Sequence, residues 1–265
     1  MMKDVLEEIV AWKHIEIEQM KEAVSESHLH EIVETMMMEE DTPQSFAQAL
    51  LQSDTGIIAE FKRRSPSKGW IKQEANVEII PLDYQRNGAA AVSILADSKY
   101  FGGSPCNVRR AKKAGVTIPI LYKEFIIDEY QLFQARAKGA SAVLLIAAEL
   151  KKNECRVLIE IAHELGLEVL LEMHSEAETE YAEMEPDVCG INNRNLGTFT
   201  TDVNNSFRLE QRLPEGIAKI SESGISDAET VRLLRHAGFN GFLIGECFMK
   251  ADDPGKELKE FISKL

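Results

Sequence analysis

Glu60 and Lys62 stand two residues apart at the end of an apolar run, Ile57–Phe61, that continues into Arg63-Arg64-Ser65-Pro66-Ser67-Lys68-Gly69. Side chains alternate along a strand, so Ile58, Glu60 and Lys62 share one face if the run is extended. An acid and a lysine on the inner face of a sheet are costly to bury unless they pair or do chemistry. Two readings are open from this segment: a solvated ion pair on an edge strand, or an acid–base pair at a catalytic mouth. In the second, Ser65–Gly69 becomes a mobile lid.

Polar residues recur where other short apolar runs end. The runs are followed by Asp97 and Lys99-Tyr100-Phe101-Gly102-Gly103-Ser104, by Lys123-Glu124-Phe125, by Glu172, by Asn192-Asn193-Arg194, by Ser221-Glu222-Ser223-Gly224 and by Gly245-Glu246. The run ending in Ala147-Ala148-Glu149 offers little. Lysines beside carboxylates serve as general acids, with burial and neighbours setting their pKa values. Ser223-Gly224 and Gly245-Glu246 precede helix starts, where backbone N–H groups cradle a phosphate. Phe101 and Phe125 are either an apolar wall for a ring or ordinary packing. Ser65 and Ser67 have no adjacent base and read as loop or ligand-contacting hydroxyls.

Eight apolar runs must position these residues: Ile57–Phe61, Ala91–Leu95, Ile118–Leu121, Ala142–Ile146, Glu168–Leu171, Val188–Ile191, Ala218–Ile220 and Phe242–Ile244. Their starts recur about every 26 residues, the length of one βα unit in an eightfold barrel. Amphipathic helices alternate with them: 77–86, 108–114, 128–138, 153–165, 175–184, 205–212, 227–236 and 254–263. Near-continuous apolar strands alternating with helices mean a parallel sheet covered by helices, here an α/β (β/α)8 TIM barrel whose active site lies at the C-terminal strand ends. An open doubly wound sheet would show Gly-x-Gly-x-x-Gly after its first strand, and Ser-Pro-Ser-Lys-Gly is not that motif. Residues 1–55 read instead as an N-terminal helical extension. It comprises helices over 3–24 and 28–40, and one opened by Thr42-Pro43 that runs to Leu51. The whole chain, 1–265, is expected to form one domain.

The 265 residues carry a formal net charge of −14, with 44% apolar and 28% charged residues. This acidity argues against a general nucleic-acid or anionic-membrane surface, while leaving room for a local basic pocket. Cys106, Cys155, Cys189 and Cys247 are scattered, which indicates neither a disulfide framework nor a zinc site. Cys189 and Cys247 read as core thiols, and a reducing cytoplasm fits. No metal-ligand pattern appears, and the acidic N-terminus lacks a signal peptide's apolar region. Of the six histidines, His174 alone lies near the expected rim; it is assigned no catalytic role. Protein partners are not legible.

With these residues in place, the chain resembles the indole-3-glycerol phosphate synthase family. The resemblance covers essentially its whole length. It rests on Leu6–Lys13, Ile58–Gly69, Lys99–Ser104, Lys123–Asp128, Leu170-Leu171-Glu172, Gly190–Leu196, Ser221–Ile225 and Leu243–Glu246. It implies a (β/α)8 barrel with an N-terminal helical extension over its mouth. The implied reaction needs no cofactor. It converts the anionic 1-(2-carboxyphenylamino)-1-deoxyribulose 5-phosphate into indole-3-glycerol phosphate, releasing carbon dioxide and water. The resemblance further implies that Lys123 is the general acid of ring closure. Lys62 would bind the anion and help as an acid in dehydration, and Glu60 and Glu172 would hold or receive protons. Asn192, Arg194 and Glu222 would position the substrate. Ser223, Gly224, Gly245 and Glu246 would hold the phosphate, the last through its backbone. Three positions depart from the common pattern: Tyr122, Ser175, and Glu124 in place of Asp. The longer Glu124 is expected to alter the partner of Lys123. A phosphoribosylanthranilate isomerase-like barrel would carry a cysteine near the end of the first strand. A non-catalytic sugar-phosphate-binding barrel would have lost Lys123 or Glu172. Neither holds here.

Overall fold

The computed structural model describes residues 5–39, 42–195 and 200–265. Residues 3–4 and 40 of the expected extension helices, and Leu196, lie outside these. The barrel strands are β1 (Ile57–Phe61), β2 (Ala91–Leu95), β3 (Ile120–Lys123), β4 (Ala142–Ile146), β5 (Glu168–Met173), β6 (Val188–Asn192), β7 (Ala218–Glu222) and β8 (Gly241–Ile244). Each pairs in parallel with its neighbours, and β1 closes on β8. The helices are α1 (Val5–Ala23), α2 (Glu26–Glu39), α3 (Phe46–Leu51), α4 (Ile80–Arg86), α5 (Asn107–Lys113), α6 (Glu129–Ala137), α7 (Lys152–Glu164), α8 (Asn204–Leu209), α9 (Ala228–His236), α10 (Glu246–Met249) and α11 (Pro254–Ile262).

Two apolar layers follow from the strand period of two. Ile58, Leu121, Leu144, Ile146, Leu170, Val188, Ile220 and Leu243 fill the barrel interior, and Phe46 and Leu50 of α3 plug its N-terminal end. Their outward neighbours, among them Ile57, Ala59, Val92, Val143, Val169 and Ile191, pack beneath the helices. In the interior set the next inward position toward the C-terminal end is Glu60 after Ile58, Lys123 after Leu121, Glu172 after Leu170 and Glu222 after Ile220.

Several strands outlast the apolar runs that announced them. β5, β6 and β7 include Glu172, Asn192 and Glu222, because a polar inward side chain does not interrupt the ladder. β3 runs from Ile120 to Lys123 rather than from Ile118 to Leu121. Pro119 has no N–H to pair and contributes only its carbonyl, which accepts from the Val92 N–H at 3.0 Å.

Three local expectations also change. Thr42-Pro43 does not open α3: Ser45 is its N-cap, with the hydroxyl accepting from the Gln48 N–H at 3.0 Å. The same hydroxyl donates to Glu168 Oε1 at 2.5 Å, and the Ala47 N–H donates to Oε2 at 2.7 Å, tying α3 to the foot of β5. The segment 175–184 forms a 3-10 helix, Glu176–Met184, rather than an α-helix. Ser65–Gly69 is the tip of a two-stranded hairpin, Arg64–Ser65 against Gly69–Trp70. Cys155 and Cys189 are buried; Cys247 is half-buried, packing against the core and also lining the mouth.

The extension wraps the rim. α1 buries Ile9, Lys13 and Ile17, one stripe at helical spacing. The Tyr130 hydroxyl of α6 donates to the Met20 and Val24 carbonyls at 3.0 and 2.9 Å, and Lys21 pairs with Asp128 at 2.9 Å.

Candidate active site

The barrel mouth encloses a cavity of about 200 Å³. Its wall includes Glu60, Lys62, Ser65, Phe101, Lys123, Phe125, Glu172, Asn192, Arg194, Glu222, Ser223, Gly224, Gly245 and Glu246, so the topology brings every residue nominated from sequence to one place. The walls differ in character around the ring of strands. Phe101 and Phe125 follow β2 and β3, with ring centroids 5.8 Å apart, and Val5, Leu6 and Ile9 of α1 join them. The Ser223-Gly224 and Gly245-Glu246 turns follow β7 and β8, across the mouth from β3.

Lys123 Nζ lies 2.5 Å from Glu222 Oε2 and 3.1 Å from Glu172 Oε2. Burial opposes its charge, but Glu222, Glu172 and Glu60 outweigh that and hold the ammonium above the ordinary lysine range. The two carboxyls behave oppositely. Burial would raise Glu172, yet Lys123 and His174 hold it well below the usual carboxylate range. Glu222 is raised by burial and by the charge of Glu172, and Lys123 offsets this only in part. Geometry supports the split. Glu172 has Lys123 at one oxygen and the His174 ring 3.3 Å from the other, a charge contact rather than a hydrogen bond, whereas Glu222 Oε1 is buried with no hydrogen-bond partner among the described residues. Gly190 makes room for that oxygen, since a Cβ there would come within 2.7 Å of it.

Glu60 and Lys62 form an ion pair of 2.5 Å. Lys62 is partly exposed, while Glu60 is buried. The pair is therefore neither fully solvated nor at a sheet edge, since β1 is bonded on both sides. A Cβ at Gly245 would collide with the Glu60 carboxylate, so this glycine shapes the acid–base side of the cavity as well as the turn.

The opposite turn is buttressed from behind. Ser223 and Gly224 both take left-handed backbone, with φ of 68° and 79°. Asn193 Nδ2 donates to the Ser223 carbonyl and to Ser221 Oγ, each at 3.0 Å. The Glu246 side chain turns away to Lys250 at 2.5 Å and Lys68 at 3.5 Å. The Arg194 guanidinium donates to Ser67 Oγ at 3.1 Å, linking the β6 loop to the hairpin tip.

The aromatic wall rests on a lysine that the sequence reading passed over. Lys13 of α1, 1% exposed, pairs with Glu16 at 2.5 Å, Asp97 at 2.8 Å and Glu124 at 2.9 Å. Asp97 Oδ1 accepts from the Tyr100 and Phe101 N–H groups at 2.6 and 2.9 Å, and Glu124 Oε1 accepts from the Phe125 N–H at 2.8 Å. Glu124 is thus not a partner of Lys123, contrary to expectation; its extra methylene reaches the extension. Desolvation pushes Glu124 up to about 7, with Lys13 opposing and the nearby Asp97 charge adding. The signal was a lysine on the Ile9–Ile17 stripe of an amphipathic helix. His174, placed near the rim from sequence, had been given no role. It lies two residues after Glu172 on the same face and meets Glu172 Oε1 at 3.3 Å.

A family model for indole-3-glycerol phosphate synthase matches residues 6–261. A relative of that name from Bacteroides thetaiotaomicron is 56% identical over 264 residues, covering 100% of both chains. Another from Neisseria gonorrhoeae is 41% identical over 262 residues, covering 97% of this chain and 98% of its own. Among solved structures, the 3-hexulose-6-phosphate synthase of Salmonella typhimurium aligns with a TM-score of 0.64 at 13% identity, over 79% of this chain and 98% of that one. A chain of the Pyrococcus furiosus tryptophan synthase complex gives 0.58 at 15% identity, over 80% of this chain and 98% of its own. Those two likenesses concern the barrel fold. The full-length sequence relationships go further: this chain belongs to the indole-3-glycerol phosphate synthase family, carboxy-lyases of tryptophan biosynthesis.

Proposed function

We propose that this cavity performs the family's ring closure, decarboxylation and dehydration of 1-(2-carboxyphenylamino)-1-deoxyribulose 5-phosphate, with the residues named above in the following roles. The aryl ring lies against Phe101 and Phe125. The phosphate reaches across the mouth to the Ser223-Gly224 and Gly245-Glu246 backbone. Binding at both ends folds the ribulose chain so that its carbonyl meets the ring carbon, a positional effect worth several kcal/mol of the barrier. Lys123, charged throughout the neutral range, donates to the carbonyl oxygen as it becomes an alkoxide. Loss of the aryl carboxylate as carbon dioxide takes up one proton per turnover overall. Glu222, the carboxyl with the raised pKa, is the group we assign to hold that proton beside Lys123. Glu172 stays ionised and orients the ammonium. Lys62 and Glu60 act on the departing hydroxyl in dehydration. Asn192 and Arg194 fix the substrate, and Ser65 contacts it from beneath the hairpin, which serves as the lid.

The observation that carries this reading is Lys123, held between two carboxylates in a cavity that is aromatic on one side and turn-lined on the other. No metal or other cofactor enters the scheme, and the substrate is a small phosphorylated anion. We further assign the whole chain to one domain and its activity to the cytoplasm, where free thiols such as Cys189 stay reduced. Among the described residues no helix is long and apolar enough to cross a membrane. The test is turnover by the purified protein in the presence of a chelator, followed by the ultraviolet absorbance of the indole product. Indole formation is expected; none from the authentic substrate would defeat the reading.

A further inference from the structure

His174 sits in a position that none of the roles above explains. Its side chain is nearly buried, and each ring nitrogen faces a carboxylate: Nε2 is 3.3 Å from Glu172 Oε1, and Nδ1 is 3.4 Å from Glu178 Oε2. Glu178 is itself held, accepting from the His174 N–H at 2.8 Å and the Ser175 hydroxyl at 2.6 Å. The backbone here is also pinned, with Asn205 Nδ2 donating to the His174 carbonyl at 3.1 Å. An imidazole between two carboxylates is stabilised as the cation. Burial works against that charge, but Glu172 and Glu178 raise His174 to about 10. Glu149, at the end of β4, is a further acid in this region. Both its oxygens are buried without hydrogen-bond partners among the described residues, and burial followed by the Glu172 and Glu124 charges pushes it up, so it adds little negative charge of its own.

We propose that His174 is a positioning residue: clamped by Glu178, its imidazolium fixes the Glu172 carboxylate against Lys123, so that the exchangeable proton of the Lys123 cluster resides on Glu222. The chain of contacts runs Glu178, His174, Glu172, Lys123, Glu222, from the 3-10 helix into the cavity. Glu172 is thereby neutralised on one oxygen by His174 and on the other by Lys123. Glu222 shares Lys123 and has no second cation among the described residues. Without the imidazolium, the proton would be divided between the two acids, and Lys123 would lose its fixed orientation. The groups facing this cluster are Glu172 from β5, Lys123 from β3, Glu222 from β7, Glu60 of β1 with its partner Lys62, Glu178 from the 3-10 helix and Glu149 beyond β4.

This inference rests on the assignment of Lys123 as the acid of ring closure, and the wild-type assay tests that assignment separately. The experiment compares wild type, His174→Gln and Glu178→Gln in kcat, KM, the pH profile of kcat/KM and thermal unfolding. His174→Gln is expected to lower kcat roughly tenfold to hundredfold, by analogy with the loss seen when the partner that orients a metal ligand is removed. Its acid limb should move to higher pH, because Glu172 then protonates more readily, while KM changes severalfold at most. Glu178→Gln should move the same limb in the same direction by less. His174→Lys, which returns a cation, should recover part of the kcat lost in His174→Gln. If His174→Gln keeps the wild-type kcat and acid limb, the proposal is overturned. It is equally overturned if the loss follows thermal unfolding alone with the pH profile unmoved.

Discussion

Two lysines in this molecule have almost the same surroundings and, on the proposed mechanism, opposite uses. Lys13 lies among Glu16, Asp97 and Glu124; Lys123 lies between Glu172 and Glu222. Both are held charged by acids that outweigh the cost of burial. They differ in what lies next to them. Lys123 lines the cavity, whereas Lys13 is sealed beneath α1, and its acids spend their other lone pairs on the backbone of Phe101 and Phe125. A lysine–carboxylate cluster is therefore not a catalytic signature in itself; access to a cavity separates machinery from scaffold.

Four substitutions probe that contrast. Lys123→Ala should lower kcat by about a thousandfold, as expected when a donor to a developing oxyanion is lost, with little change in the urea midpoint. Lys13→Ala should act on stability instead. It leaves several carboxylates buried without their cation, a cost of roughly 3–5 kcal/mol, visible in urea unfolding and in protease sensitivity of the extension. Glu222→Gln should lower kcat by about a hundredfold. In wild type, activity should fall as pH rises through the elevated Glu222 value, and that limb should be absent from Glu222→Gln.

The smallest effect is expected at Glu124. Its folded-state value, about 7, is above the ordinary 4.5, so its ionised form is disfavoured in the native state. Its contribution to stability is full below 4.5 and is lost as pH rises through about 7. Glu124→Gln should remove this slope from stability measured between those values, leaving turnover little changed.

The same contrast explains what the sequence could reveal. Period-two alternation made the inner face readable, because β1, β3, β5 and β7 each supply inward apolar residues before a polar one. Ile58-Ala59-Glu60 and Leu170-Leu171-Glu172 show the rule within three residues. The strand ends were misjudged because an apolar run stops at the first charge, whereas a β-ladder does not. Two of the three partners of Lys13, Asp97 and Glu124, lie on distant loops, so only the closed barrel shows that Glu124 belongs to the extension and not to Lys123. His174 was within reach, being two residues from Glu172 and just past the end of β5. Its meaning depends on Glu178 returning through a 3-10 helix, which the helical periodicity had assigned to the wrong class of turn. The Ser45 cap was hidden for a similar reason, since Thr42-Pro43 matches the local rule and only the tie to Glu168 selects Ser45.

The central claim is that Lys123 acts on the substrate while Lys13 holds the wall. The most direct measurement is kcat per folded molecule for Lys123→Ala and Lys13→Ala, side by side at saturating substrate, with the folded fraction taken from urea unfolding of the same preparations. Lys13→Ala should keep its kcat within severalfold once corrected for unfolded protein, and Lys123→Ala should remain more than about a hundredfold below wild type. Equal losses in the two variants, or near-wild-type turnover by Lys123→Ala, would contradict the account.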